Sequence, residues 1–505
     1  MDTTKTTPKK LTRRRFLYLT GAALATLLAS GDFAEPRTAR RKRTLKNQPF
    51  KEQLSSMPKI EQTSTERRLL VLGGGGTTAL RLQVETMIDL FGASAKGHDV
   101  LNDMGNPDVW CTSAGAIMGA GLAANYTLGE IRQMVQSEDF LHGIYNKRVK
   151  PKTLLKGNGD YFIPPPNAAQ LSMRKKMKGI TRDLIVAAYE MVLGADFSAA
   201  QKTEFLGHAI SHTMPSDRPA AGDIPALKDG QMAGFSESPV EEIYNRTGCH
   251  FVFLCEDRIS KKTIAITTRK DLPEEITLGD KNIRVAPGDS VSIKNAVCGS
   301  ANPRPFFDLA VPGGKYELDD GGMTGNNYGG LLAAQLALAE GVPADKISIL
   351  GMTIGALKKD YQGPYVTKAN AVPLYGAMLF DEYLADQLDD RLMELSRLLP
   401  DPARQIVNFI PTCSDTNNPF CYCSSMIRDN QTKDQDQKGE MDKLETFVQE
   451  YKAGLIPNKP MGGNGSSYGP AKYQEALKAM RQWIGGPLSP LAAPPRQDRT
   501  PQAAR

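Results

Sequence analysis

The 505-residue chain contains no run of about 18 or more apolar residues, the length a membrane-spanning helix needs, which excludes a multi-span membrane protein. It also lacks an excess of positive charge in its body. Residues 1–68 carry 16 Lys/Arg against 6 Asp/Glu, leaving 46 against 50 for the rest, so the net charge of +6 belongs to the N-terminal segment. A basic groove for nucleic acid is therefore not expected in the folded part. Histidine is scarce, with five in the chain. The seven cysteines are odd in number and widely spread, which does not make a disulfide framework. Cys421-Tyr422-Cys423 has neither the two-residue spacer nor the second cluster of a zinc site, and His208 and His212 lack the H-E-x-x-H pattern around them. No metal is expected. No repeat with a period of 20–50 residues is present. What is there is globular composition, 40% hydrophobic and 23% charged, in a chain long enough for one large catalytic domain or two ordinary ones.

The N-terminus reads as a targeting segment. Lys9-Lys10-Leu11-Thr12-Arg13-Arg14-Arg15-Phe16-Leu17 precedes an apolar stretch from Phe16 to Ala29, too short to span a membrane and suited to an export h-region. The paired arginines resemble a bacterial twin-arginine signal, here taken as residues 1–34. Export to the periplasm, to the membrane surface or beyond is the expectation. A basic linker (35–67, with RTARRKRTLK at 37–46) follows.

Folded character starts at Arg67–Leu72, a short apolar run that predicts a buried strand. Val84, Met87, Ile88 and Phe91 recur at helical spacing. Asp108–Thr112 predicts a second strand and Ala114–Asn125 a small-residue helix. Further strands are expected at 250–255, 263–267, 347–350 and 406–410, with helices around 331–339 and 372–388. Strands alternating with helices point to an α/β fold, a sheet with helices on both faces. The proposed catalytic domain is 68–427, with 135–235 as an inserted cap-like block that includes a helix over 171–193. A helical extension (428–484, with amphipathic helices at 441–451 and 473–484) and a disordered tail (485–505) complete the layout.

Three segments carry chemistry. Cys111-Thr112-Ser113-Ala114-Gly115 places a serine between a strand and a helix, where its hydroxyl projects and the helix N-terminus offers N–H groups to a developing oxyanion. The usual elbow is G-x-S-x-G, and Cys111 stands for its first glycine; on these residues alone a helix-capping serine is the competing reading. Gly73-Gly74-Gly75-Gly76-Thr77-Thr78 exposes backbone N–H groups to an anion. A nucleotide phosphate loop is the rival, but there is no G-K-[ST], and G-x-G-x-x-G fails at Thr78. Tyr316-Glu317-Leu318-Asp319-Asp320-Gly321-Gly322, continuing to Asn326-Asn327, sets a carboxylate before two glycines, by itself a common turn.

Taken together and in this order, the glycine loop, the serine elbow about 40 residues on and the D-G-G segment resemble the patatin-like phospholipase family. Ala296–Phe307 is similar to that family's small-residue, proline and phenylalanine segment, and Leu350–Gly355 to its strand-end G-T-G. The resemblance implies a three-layer α/β/α hydrolase with a mainly parallel central sheet and a helical insertion. It makes Ser113 the nucleophile and Asp320, which directly precedes Gly321-Gly322, its base. Gly74, Gly75, Gly76 and Ala114 would supply oxyanion-hole N–H groups, with Gly115, Gly321 and Gly322 supporting the motifs. It implies cleavage of fatty-acyl esters of phospholipids or other lipids without a metal or organic cofactor. The partner is a membrane surface, reached through the inserted block or the amphipathic C-terminal helices. A lipid-binding scaffold on the same fold, a Rossmann-like nucleotide-binding protein and acyl transfer to an acceptor other than water are the alternatives. The sequence departs from the pattern at Thr78, where the family has arginine and Arg81 is a candidate substitute, at Gly73 in place of aspartate, and at Tyr328 in place of proline.

Overall fold

A computed structural model describes residues 66–136, 161–163, 235–279, 281–302, 311–354, 365–367, 387–411, 445–459 and 470–485. The expected signal, most of the linker and of the inserted block, residues 303–307, the expected helix over 372–388 up to residue 386, and the tail lie outside the described residues.

In chain order the strands are β1 (Arg67–Leu72), β2 (Asp108–Thr112), β3 (Tyr161–Ile163), β4 (Phe251–Asp257), β5 (Thr263–Thr267), β6 (Glu275–Leu278), β7 (Lys281–Pro287), β8 (Val311–Gly313), β9 (Tyr316–Asp320), β10 (Ile347–Met352), β11 (Tyr365–Thr367) and β12 (Ile406–Phe409). Ten of them form one sheet in the order β12-β10-β1-β2-β4-β5-β7-β6, with β9 attached to β4 and β8 to β9. The five strands from β12 to β4 are mutually parallel, and the antiparallel pairs lie beyond them. Strands β3 and β11 form a separate antiparallel ribbon.

The middle strands are hydrophobic along their length because both faces are covered, as parallel sheets require. On β1, Leu70 and Leu72 face one core cluster while Leu69 and Val71 face the other. The first cluster is roofed by the helices Gly76–Phe91, Ala114–Ala123, Ile293–Ser300 and Tyr473–Gly485. The second is roofed by Gly330–Ala339 and the helix over 387–398. This is a three-layer α/β/α fold with a mostly parallel sheet. Every residue of Ala114–Ala123 (AGAIMGAGLA) is buried, which fits a helix that is apolar all round.

The C-terminal helices belong to this core. Tyr473, Ala476, Leu477, Met480 and Trp483 are buried in the first cluster together with Tyr451. The Tyr473 hydroxyl donates to Asp89 (2.8 Å), and Lys452 pairs with the same carboxylate (2.8 Å). The expectation that these amphipathic helices reach a lipid surface is therefore corrected: their apolar faces are spent on the fold. Arg81 is corrected for the same reason. Its guanidinium pairs with Glu85 (2.9 Å) and with Glu445 (2.7 Å), tying the first helix to the helix over 445–452 instead of standing in for the absent arginine.

A charged cluster holds the opposite end of the sheet. Arg67 donates to Asp108 (2.6 Å) and Glu340 (2.9 Å), and Arg269 bonds both Glu340 and Asp271. Burial pushes the Glu340 carboxyl up, and the Arg269 and Arg67 guanidinium groups pull it back. Removing one member of a buried ionic group leaves its partners uncompensated. Glu340→Ala should lower unfolding stability by about 3 kcal/mol. Urea denaturation measures it, and a loss under about 1 kcal/mol, the worth of a surface pair, would contradict a structural role for the cluster.

Candidate active site

The site lies at the C-terminal ends of the parallel strands, where the chain order reverses between β10 and β1, the place where open α/β sheets bind ligands. Its geometry follows from one edge of β4. Cys255 pairs with Ile264 of β5 on one side, so its second partner, Asp320 of β9, lies on the other side, which is the side of β2. β2 occupies that edge up to Thr112, opposite Leu254, and β9 takes it over from Asp320, opposite Cys255. The two strands meet end to end. Ser113 leaves the edge from one side of the junction and Gly321 from the other.

The hydrogen bonds at the junction hold both turns. The Ser113 N–H donates to Ser300 Oγ (2.9 Å), and that hydroxyl donates to the Leu254 carbonyl (2.7 Å). The Asp320 N–H donates to the Asn302 carbonyl (3.1 Å). Thr112 Oγ1 donates to the Asn326 carbonyl (2.9 Å), linking the end of β2 to the segment after Asp320.

Ser113 has φ 54° and ψ −119° at the N-cap of the Ala114–Ala123 helix. Positive φ is uncommon in a non-glycine residue and costs on the order of 1–3 kcal/mol. The sharp turn is possible because Gly115 lies against the Leu72 carbonyl, where a methyl group would overlap it. Ser113 Oγ makes no hydrogen bond among the described residues, so it does not act as a helix cap. Cys111, where the elbow pattern has glycine, is fully buried, and its thiol fills the space that Gly119 leaves on the facing helix. Burial pushes that thiol far up, which keeps it neutral.

Asp320 ends β9 and caps the short 3₁₀ turn Gly321–Thr324, with Oδ1 accepting from the Gly322 N–H (2.8 Å). Gly321 packs directly on the Leu254 carbonyl. Asp319 is held differently. Its fully buried carboxylate takes two bonds from Arg258 (3.0 and 2.8 Å) and one from Asn302 Nδ2 (3.0 Å). The two adjacent aspartates therefore divide between an ion pair inside the protein and a turn at the sheet-edge junction.

The glycine loop packs against Ser113 and Asn327. A methyl group at Gly74 would overlap Asn327 Oδ1 and stand 2.8 Å from Ser113 Cβ. The loop is anchored by Thr353 Oγ1 donating to the Gly74 carbonyl (2.7 Å) and Gln83 Nε2 donating to the Gly73 carbonyl (2.8 Å). The Gly74 N–H donates to the Asn327 carbonyl (2.9 Å), so of the four expected oxyanion donors it is already engaged, and its assignment is corrected. Gly75 (φ 132°) and Gly76 open the first helix, and Ala114 opens the second, where first-turn N–H groups have no intrahelical acceptor. Thr78 is fully buried.

Four contributors were not picked out from the sequence: Ser300 and Asn302, which lie inside the small-residue segment, Gln83, and Arg258, for which there was no local signal. Among the described residues, no group of three or more His, Cys, Asp or Glu is placed to hold a metal ion, and no helix is long and apolar enough to cross a membrane.

No family model matches the chain, and no curated protein sequence matches it. Among solved structures it is similar to VipD from Legionella pneumophila at 13% identity and a TM-score of 0.29, over 77% of this chain and 70% of that one. A likeness of that degree bears on neither the residues nor the substrate of the site.

The strain at Ser113 has a measurable consequence. Ser113→Gly should be more stable than Ser113→Ala by about 1 kcal/mol, since glycine adopts positive φ freely and gives back only part of that gain in unfolded-chain entropy. Thermal unfolding of the two variants side by side checks this; equal stability would mean that the turn is unstrained.

Proposed function

We propose that the chain is a lipid acyl hydrolase of the patatin-like type, acting through Ser113 and Asp320. The observation that carries the reading is the emergence of a strained serine, whose hydroxyl makes no hydrogen bond among the described residues, and a turn-capping aspartate from the same junction on β4, beside a glycine loop. The order of the three motifs in the sequence supports it independently.

In this reading Ser113 Oγ attacks the acyl carbonyl of the ester while Asp320 takes the hydroxyl proton. The tetrahedral oxyanion is met by N–H groups of Gly75, Gly76 and Ala114, placed at two helix N-termini. The carbon–oxygen bond to the leaving alcohol breaks as that oxygen takes the proton from Asp320, leaving an acyl-serine. Water, deprotonated by the same carboxylate, then attacks the acyl-serine, and the fatty acid leaves as Ser113 regains its proton. Arg258 and Asn302 keep Asp319 occupied, so Asp320 is the carboxylate at the junction for this work. No step requires a metal or an organic cofactor. The substrate class is a fatty-acyl ester presented at a lipid surface.

Fatty-acid release from vesicles of phosphatidylethanolamine and phosphatidylglycerol tests the reading. The full chain should release fatty acid, and Ser113→Ala and Asp320→Ala should each lose about 10⁴-fold or more with folding retained. Release that survives Ser113→Ala, or no release from the unmodified chain on any lipid ester, would overturn it. Formation of a new ester with added alcohol or lysolipid would assign acyl transfer instead of hydrolysis.

A further inference from the structure

Asn326 and Asn327 are neighbours on the segment after β9 and are used in opposite ways. Asn326 is fully buried, and its polar groups are engaged inside the protein. Its Nδ2 donates to Thr263 Oγ1 and Thr324 Oγ1 (both 2.8 Å), and Oδ1 accepts from Lys281 Nζ (3.3 Å). Asn327 is half-buried, and only its main chain is tied down, through the carbonyl that accepts the Gly74 N–H. Its carboxamide makes no hydrogen bond among the described residues.

That carboxamide stands on the ground between the two reacting groups. Its Oδ1 rests against the backbone of Gly74, next to Ser113 Cβ, and against Gly322. A methyl group at Gly322 would lie 3.2 Å from Asn327 Oδ1 and 3.1 Å from Asp320 Oδ1. The oxygen end is thus backed by the Cα atoms of two glycines, and the amide NH₂ is the end that no group among the described residues claims.

We propose that Asn327 is a catalytic residue whose Nδ2–H donates to the acyl oxygen as the carbonyl becomes tetrahedral. It supplies the side-chain donor in a loop where the Gly74 N–H has been given up to Asn327's own main chain. The assignment rests on the Ser113/Asp320 hydrolase reading above. A side-chain amide meets the requirement for such a donor: it is neutral, fixed before the reaction and directed at charge that appears only in the transition state.

The experiment uses the full chain with p-nitrophenyl butyrate, a soluble ester, and compares the unmodified protein with Asn327→Leu and Asn327→Asp. Both variants keep the approximate size of the side chain and remove the neutral N–H donor. Each should lose about 10²–10³-fold in kcat. KM should stay within about threefold, since the interaction is made in the transition state and not in the bound ester. The acid limb of the pH–rate profile should stay where it is in Asn327→Leu, because a residue acting through Asp320 would move it. Asn327→Asp keeps the assignment testable if the leucine variant does not fold. A kcat within about threefold of the unmodified protein, or a loss accompanied by a shifted acid limb in Asn327→Leu, overturns it. An unmodified chain that neither hydrolyses the ester nor is labelled at Ser113 by a fluorophosphonate overturns the hydrolase reading and this assignment with it. Activity and labelling that persist unchanged in both variants overturn this assignment alone.

Discussion

The Leu254 carbonyl is the point on which the rest of the site depends. It sits on β4 where β2 stops and β9 begins, so neither strand can complete a ladder bond past it. A carbonyl buried without a donor would be costly. Here the Ser300 hydroxyl supplies the donor and passes its own lone pair to the Ser113 N–H. One satisfied hydrogen-bond chain therefore fixes the turn that carries the serine. The close seating of Gly321 on the same carbonyl fixes the turn that carries the aspartate. The serine and the aspartate owe their separation to the spacing of a sheet edge, a rigid quantity, and not to the conformation of a loop.

The departures from the familiar motif pattern are compensated in the packing around this junction. Cys111 fits because Gly119 leaves it room. Tyr328, where proline would be expected, is buried and donates to Asn408 Oδ1 (2.8 Å), and Gly351 on β10 makes space for its ring. Each substitution reads as an isolated fault in the sequence and as half of a pair in the fold. The exception is Thr78, whose buried hydroxyl has no partner among the described residues and for which the surroundings offer no explanation.

The parts of the fold legible in the sequence are those with an uninterrupted physical signature. β1, β2, β5, β10 and β12 are short apolar runs buried on both faces, and the Gly330–Ala339 and Tyr473–Gly485 helices follow helical spacing. β6, at the sheet edge, and its neighbour β7 are not legible because exposed polar positions at Glu275, Thr277 and Asn282 interrupt the apolar signal. The apolar signal of β4 stops at Cys255, two residues short of its end, since Glu256 and Asp257 look like the end of a strand. Yet that hidden end is where β9 docks. The site was legible as a set of residue types in order: Ser113, Asp320 and the glycines are named by local motifs. Which amides are engaged and which are not depends on contacts across more than 250 residues, as between Gly74 and Asn327, and no local pattern carries that.

The stitching of the first helix to the last has a consequence for how the molecule comes to be folded. The Gly76–Phe91 helix buries its outer surface under residues 445–459 and 470–485, and the bond between Tyr473 and Asp89 spans 384 residues. Contacts of such long range form late, because the entropy of closing the intervening chain must be met before they contribute anything. During synthesis the glycine loop and the serine turn are thus made early but left with an incomplete roof. The side of the sheet that supports them closes only after nearly all the described chain has emerged. Assembly of this face of the sheet waits on residues nearly 400 positions downstream of the helix they cover.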